Sequence, residues 1–116
     1  MNQLTNIFKL LSDDTRLRMI VLLYQQELCV CQLSGILEVP QPRISKNLSK
    51  LRDLNIVVDD RKEKFVFYSL KTENKILTHT LENIIDTLNE YPQLVIDQDR
   101  LADKEKNLNQ CSITYE

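Results

Sequence analysis

The chain has 116 residues, 42% of them hydrophobic and 28% charged, which suits one globular domain with a modest core. The net charge of −2 hides a segregation: residues 41 to 71 hold eight Lys or Arg against four acids, and the remainder holds seven against thirteen, the footprint of a polyanion bound on one face. A single glycine excludes the glycine-rich phosphate loops of nucleotide-binding enzymes, and the one histidine, His79, has no cysteine or serine near it to suggest a catalytic pair, so an enzyme is not expected.

Leu4, Ile7, Phe8 and Leu11 follow the i, i+3, i+4, i+7 rule and predict an amphipathic helix to about Leu11. Ser12-Asp13-Asp14 offers a cap and negative charge to a second helix, Thr15 to Tyr24, burying Leu17, Ile20, Val21 and Tyr24. A third, short helix is expected over Cys31 to Leu37 with Leu33, Ile36 and Leu37 inward. Glu38-Val39-Pro40-Gln41-Pro42 reads as a turn, because proline is excluded from a helix interior and welcome in a first turn. The fourth helix runs to about Leu54, with Ile44, Leu48, Leu51 and Leu54 as its buried stripe and Arg43, Lys46, Asn47 and Lys50 on the other side. Two short helices joined by a tight turn, the second basic outside and aliphatic inside, match the helix-turn-helix pattern.

Ile56-Val57-Val58 and the run Lys64 to Leu70 are β-rich and flank the charged segment Asp59 to Glu63, which predicts a hairpin wing with a basic tip. Thr72 to Tyr91 is expected as one long helix whose Leu77, Leu81, Ile84, Leu88 and Tyr91, widened by Ile85, form a seam for a partner subunit. Pro92 is expected to end it. Residues 1–92 are thus read as a DNA-binding and dimerisation domain, and 93–116 as a polar tail carrying the isolated Cys111. The fold class is mainly α with a β-hairpin wing, in the order ααααββα, and dimeric. The longest apolar run, Met19 to Tyr24, is too short to cross a bilayer and no signal-peptide pattern opens the chain, so the cytoplasm is the expected compartment. Three cysteines in such a chain argue for reduced thiols rather than a disulfide framework.

Cys29 and Cys31 stand one residue apart, a soft-ligand pair about a dozen residues before the basic helix. On a regular helix residues i and i+2 lie about 200° apart. One cysteine would then face away from the core, and the pair could hold one ion only if the start of the helix were unwound or re-aimed.

This order of elements resembles the ArsR/SmtB family of winged-helix repressors over roughly residues 2 to 92. Leu11-Ser12-Asp13-Asp14-Thr15-Arg16-Leu17-Arg18 looks like the opening of the family's second helix, Gln41-Pro42-Arg43-Ile44-Ser45-Lys46-Asn47-Leu48 like its recognition helix, and Glu27-Leu28-Cys29-Val30-Cys31-Gln32-Leu33 like the metal box of its arsenic- and cadmium-sensing members. Departures are Pro40 in place of the usual capping serine, Asn47 in place of a histidine, and Ser34 where the best-known arsenite sensors have a third cysteine. The N-terminal cysteines of the cadmium and lead sensors have no counterpart, and His79 alone cannot assemble the zinc site of the last helix.

The resemblance implies a repressor that releases a palindromic operator on binding As(III) or Sb(III), without an organic cofactor or a membrane partner. Ligand counting disfavours a four-ligand zinc site, whereas a trivalent metalloid takes three thiolates: Cys29, Cys31 and either Cys111 or an external thiol such as glutathione. Gln41, Arg43, Ser45 and Lys46 are placed to read base edges, with Asn47 within reach; Lys50, Arg61, Lys62 and Lys64 are placed to touch phosphates. Leu77, Leu81, Ile84, Ile85 and Leu88 are the expected dimer contacts. The alternatives are a repressor triggered by thiol oxidation or persulfide formation, a cadmium or lead sensor, and a thiol-based metal carrier that keeps a winged-helix shape.

Overall fold

The computed structural model describes residues 2–103. At its centre is α2 (Asp14–Gln25), in which Met19, Ile20, Val21, Leu22 and Leu23 are all buried. A helix apolar all round must be covered on every side, and the other elements are arranged about it. Its start is fixed by Asp13, whose carboxylate accepts the Arg16 backbone N–H at 3.0 Å. The preceding α1 (Asn2–Leu11) buries Ile7 and Leu10 and leaves Leu4 and Phe8 exposed.

The two helices of the helix-turn-helix are α3 (Val30–Leu37) and α4 (Gln41–Asp53). α3 stops at Glu38, which takes the left-handed conformation (φ 58, ψ 46) and donates its backbone N–H to the Ser34 carbonyl. The Ser34 hydroxyl in turn donates to the Val39 carbonyl at 2.6 Å. The residue that stands where a third cysteine was expected therefore ties down the turn. α4 has Pro40 at its N-cap and Pro42 in its first turn, and it buries Ile44, Leu48 and Leu51. Leu54 differs from its expected place: it is the C-cap, past the last helical residue, and is 46% exposed.

The wing is the antiparallel pair β1 (Val57–Lys62) and β2 (Phe65–Leu70), closed by Glu63 and Lys64. β1 reaches farther than expected, because Asp59 to Lys62 pair in register with Tyr68 to Phe65. A third extended segment joins this ribbon: Leu28 and Tyr68 exchange both backbone hydrogen bonds at 2.9 Å, an isolated antiparallel bridge.

The expected long last helix is two helices. α5 (Lys75–Asp86) is capped by Asn74, whose side chain accepts the Leu77 N–H at 3.1 Å. The chain then tightens into a 3-10 turn, Leu88–Glu90, and α6 (Pro92–Leu101) begins at the proline expected to be a stop. α6 folds back on α2 and α3, burying Leu94, Asp97 and Leu101. Residues 93 to 101, expected as polar tail, are helical and packed.

Candidate functional site

Cys29 and Cys31 are 2% and 3% exposed and form one buried cluster, covered by Phe65 and Phe67 of β2. The expectation that one cysteine must face away from the core does not hold. Cys29 is the N-cap of α3, with extended backbone (φ −94, ψ 173), and Cys31 lies in the first turn. The pair straddles the passage from extended chain to helix, and extended backbone turns alternate residues to the same side. Both sulfurs reach one cluster with α3 intact.

Several residues besides the cysteines hold this cluster. Gln32, 2% exposed, accepts the Cys29 backbone N–H at 3.0 Å and so fixes the start of α3. Phe65 and Phe67, two apart on a strand, pack at 6.1 Å between ring centroids, tilted by 55°. Lys62 donates to Glu27, just before the cysteines, and its Nζ sits 5.7 Å from the Phe67 ring. The Glu27 carboxylate holds the Lys62 ammonium pKa above its ordinary value. The alternation of phenylalanines on a predicted strand was the available signal; the Gln32 and Glu27 contacts needed the tertiary fold. Among the described residues no group of three His, Cys, Asp or Glu side chains could hold a metal ion. The sulfurs brought together are those of Cys29, which keeps its thiol, and of Cys31, which is disulfide-bonded rather than reduced as the sequence led one to expect; with that bond reduced, the pair fits a soft ion and not a hard, oxygen-seeking one. Cys111 lies outside the described residues.

On α4, Arg43, Ser45, Lys46 and Lys50 are exposed. Gln41 and Asn47 are half-buried, and the Asn47 amide donates to the Arg43 carbonyl at 3.0 Å, so this side chain lies along its own helix. Arg61, Lys62 and Lys64 are exposed near the tip of the wing, and the Lys64 Nζ lies 5.8 Å from the Phe65 ring. The basic tip of the wing thus lies beside Cys29, and the basic helix α4 packs on α3, the helix that Cys29 caps.

A sequence profile described as "Bacterial regulatory protein, arsR family" matches residues 13–58, which span α2, α3, α4 and the start of the wing. "Arsenic resistance transcriptional regulator ArsR2" of Pseudomonas putida is 39% identical over 77 residues, 66% of this chain and 67% of the relative. The chain belongs to the arsR family. "Arsenic resistance transcriptional regulator ArsR1" of the same organism is 48% identical over 68 residues, 58% of this chain; the chain spans about half the length of that relative, 53%. Among solved structures, the antimony-specific transcriptional repressor AntR superposes with a TM-score of 0.64 at 26% identity, over 79% of this chain and 82% of that one. The fold of this arsR-family chain is accordingly the winged helix-turn-helix expected from its sequence.

Of the residues expected at a dimer seam, Leu77 and Leu81 are fully buried in the chain's own core. Ile84 and Ile85 are half-buried against that core, and Leu88 lies in the 3-10 turn. No helix among the described residues is long and apolar enough to cross a membrane.

The polar anchorage of α6 has no counterpart in the sequence reading. The Asp97 carboxylate, 2% exposed, accepts from Arg18 Nε and Nη2, both at 2.9 Å, and from Gln93 Nε2 at 3.1 Å. Arg18 Nη2 also donates to the Leu37 carbonyl at 3.1 Å, and the Asp97 hydrogen bond raises the guanidinium pKa. Gln25 and Gln98 exchange amide hydrogen bonds at 2.9 and 2.7 Å, and Arg100 donates to the Ile36 carbonyl at 3.0 Å. The signal for this packing was the 3-4 spacing of Leu94, Asp97 and Leu101, a buried stripe with an acid inside it.

Proposed function

We propose that this protein is a homodimeric transcriptional repressor that binds a palindromic operator and releases it when trivalent arsenic or antimony is captured by the thiolates of Cys29 and Cys31. The carrying observation is the burial of both cysteine sulfurs in one cluster packed on the wing strand, at the start of the helix that supports α4. Relatives named as arsenic-resistance regulators support the metalloid as the inducer. The exposed Arg43, Ser45 and Lys46, with Gln41 and Asn47 beside them, would read base edges; Lys50, Arg61, Lys62 and Lys64 would contact phosphates. Exposed Leu4, Phe8 and Ile76 on α1 and α5, with half-buried Ile84, Ile85 and Leu88, would supply the dimer contact, while Leu77 and Leu81 support it from inside.

Cys111 is the proposed third thiolate. Arg100 is hydrogen-bonded to Ile36, and from Ile36 to Cys29 is about 10 Å along α3. The eleven residues from Arg100 to Cys111 span up to roughly 36 Å when extended, so the covalent reach is ample.

Metalloid and DNA would stabilise different positions of the α3 start and the wing, so each weakens the other by one coupling free energy; a tenfold loss of DNA affinity corresponds to about 1.4 kcal/mol. The test is fluorescence anisotropy on a duplex selected by the protein from random sequence, with and without arsenite or antimonite. The parent should lose at least tenfold in affinity. Cys29→Ser and Cys31→Ser should bind DNA and fail to respond, and Cys111→Ser should respond more weakly. Undiminished release by Cys29→Ser and Cys31→Ser would overturn the proposal.

A further inference from the structure

Between the start of α3 and the wing lies a groove of about 340 Å³, lined by Cys29, Arg61, Lys64, Phe65 and Tyr68 among others. That is the lower end of the range for small-molecule sites. Its lining combines a cysteine, two cationic side chains and two aromatic rings. Phosphate contact accounts for the cations and leaves their place beside a cysteine without a reason. Resting on the metalloid reading above, we propose that this groove receives an anionic low-molecular-weight thiol as the partner ligand of the metalloid. Its sulfur would sit beside Cys29 and its carboxylates on Arg61 and Lys64.

Because Cys31 is disulfide-bonded, two molecules of the low-molecular-weight thiol first reduce that bond to two cysteine thiols and leave as their own disulfide; the exchange that follows needs no oxidant. A trivalent metalloid carrying three such thiolates forms one bond to Cys29 and one to Cys31. Two of its original sulfur bonds break, and the two cysteine protons leave with the two departing thiols. The metalloid stays trivalent throughout. The third thiolate remains in the groove. While it remains, its carboxylates neutralise wing cations that would otherwise face DNA.

The test uses the full chain with Cys111→Ser, one equivalent of arsenite, and a titration with glutathione or with 2-mercaptoethanol. The ternary protein–arsenic–thiol adduct is read by native mass spectrometry. Glutathione should half-saturate the site at about a tenfold lower concentration than 2-mercaptoethanol. Adding Arg61→Gln and Lys64→Gln should abolish that preference and leave the 2-mercaptoethanol curve in place. Adding Lys9→Gln and Lys75→Gln, the same change in charge away from the groove, should leave the preference intact. A missing preference, one that survives Arg61→Gln and Lys64→Gln, or one lost equally in the Lys9 and Lys75 variant overturns the groove as the site. Absence of any arsenic mass with either thiol overturns the metalloid reading beneath it, and this proposal with it.

Discussion

Replacing Asp97 by alanine removes the acceptor of three hydrogen bonds and leaves the Arg18 guanidinium, 17% exposed, without its counter-ion. Breaking a buried pair from one side costs about 3–5 kcal/mol, because the remaining charge stays poorly solvated. Arg18 retains some water and its bond to the Leu37 carbonyl, which lowers the expected loss to about 2–3 kcal/mol. For a domain of this size that corresponds to roughly 10 °C in Tm. The double variant Arg18→Met/Asp97→Leu removes both charges together and should lie within about 1 kcal/mol of the parent. Urea unfolding of the reduced protein, followed by circular dichroism, measures both. A single variant within 0.5 kcal/mol of the parent, or a double variant as unstable as the single one, would refute the assignment of α6 as a clamped part of the domain.

Phe67→Ala should uncover the buried cysteine pair, raising the rate of thiol alkylation in the reduced protein severalfold at a stability cost of about 1–2 kcal/mol, since the ring is only half-buried; an unchanged alkylation rate would remove Phe67 as the cover. Glu63 holds a left-handed φ of 58 at the hairpin tip, so Glu63→Gly should stabilise the chain by about 0.5–1 kcal/mol in the same urea assay, and a loss of stability would contradict the strain argument. The Tyr24 hydroxyl donates to Glu82 at 2.8 Å, which raises its pKa above the ordinary tyrosine value. The contribution of this contact is therefore complete below that ordinary value and is lost as pH rises through the raised one; a spectrophotometric titration should show a late tyrosine that Tyr24→Phe removes.

The elements that obey one period were legible in the sequence. α1 through α4 declare their apolar stripes and caps, and the hairpin declares its β-branched and aromatic alternation. The break between α5 and α6 was not legible, because Leu77, Leu81, Ile84, Leu88 and Tyr91 keep an unbroken 4-3 spacing across the 3-10 turn at Leu88–Glu90. Pro92 carried two readings, since the residue that ends one helix is also favoured at the first position of the next. The cysteine pair is legible as a soft-ligand motif, but its side chains lie about 200° apart only if Cys29 is itself helical, and both the helix expected over Cys31 to Leu37 and the observed α3 leave it outside. With Cys29 inside the helix the two side chains diverge; with Cys29 as the N-cap they converge. Boundaries of this kind are set by tertiary contacts, here the Leu28–Tyr68 bridge and the Gln32 side chain.

That bridge makes the cysteine segment and the wing one mechanical body. Leu28 is hydrogen-bonded to Tyr68, and the hairpin continues from Tyr68 to the tip at Glu63 and Lys64. Five residues of strand make an arm of about 16 Å. A rotation of roughly 10° at the bridge, small enough to leave the core packed, therefore sweeps the tip through about 3 Å, the length of a hydrogen bond. With its pivot next to Cys29, the wing would act as a pointer, turning a small shift of the cysteine segment into a displacement of about 3 Å at its tip.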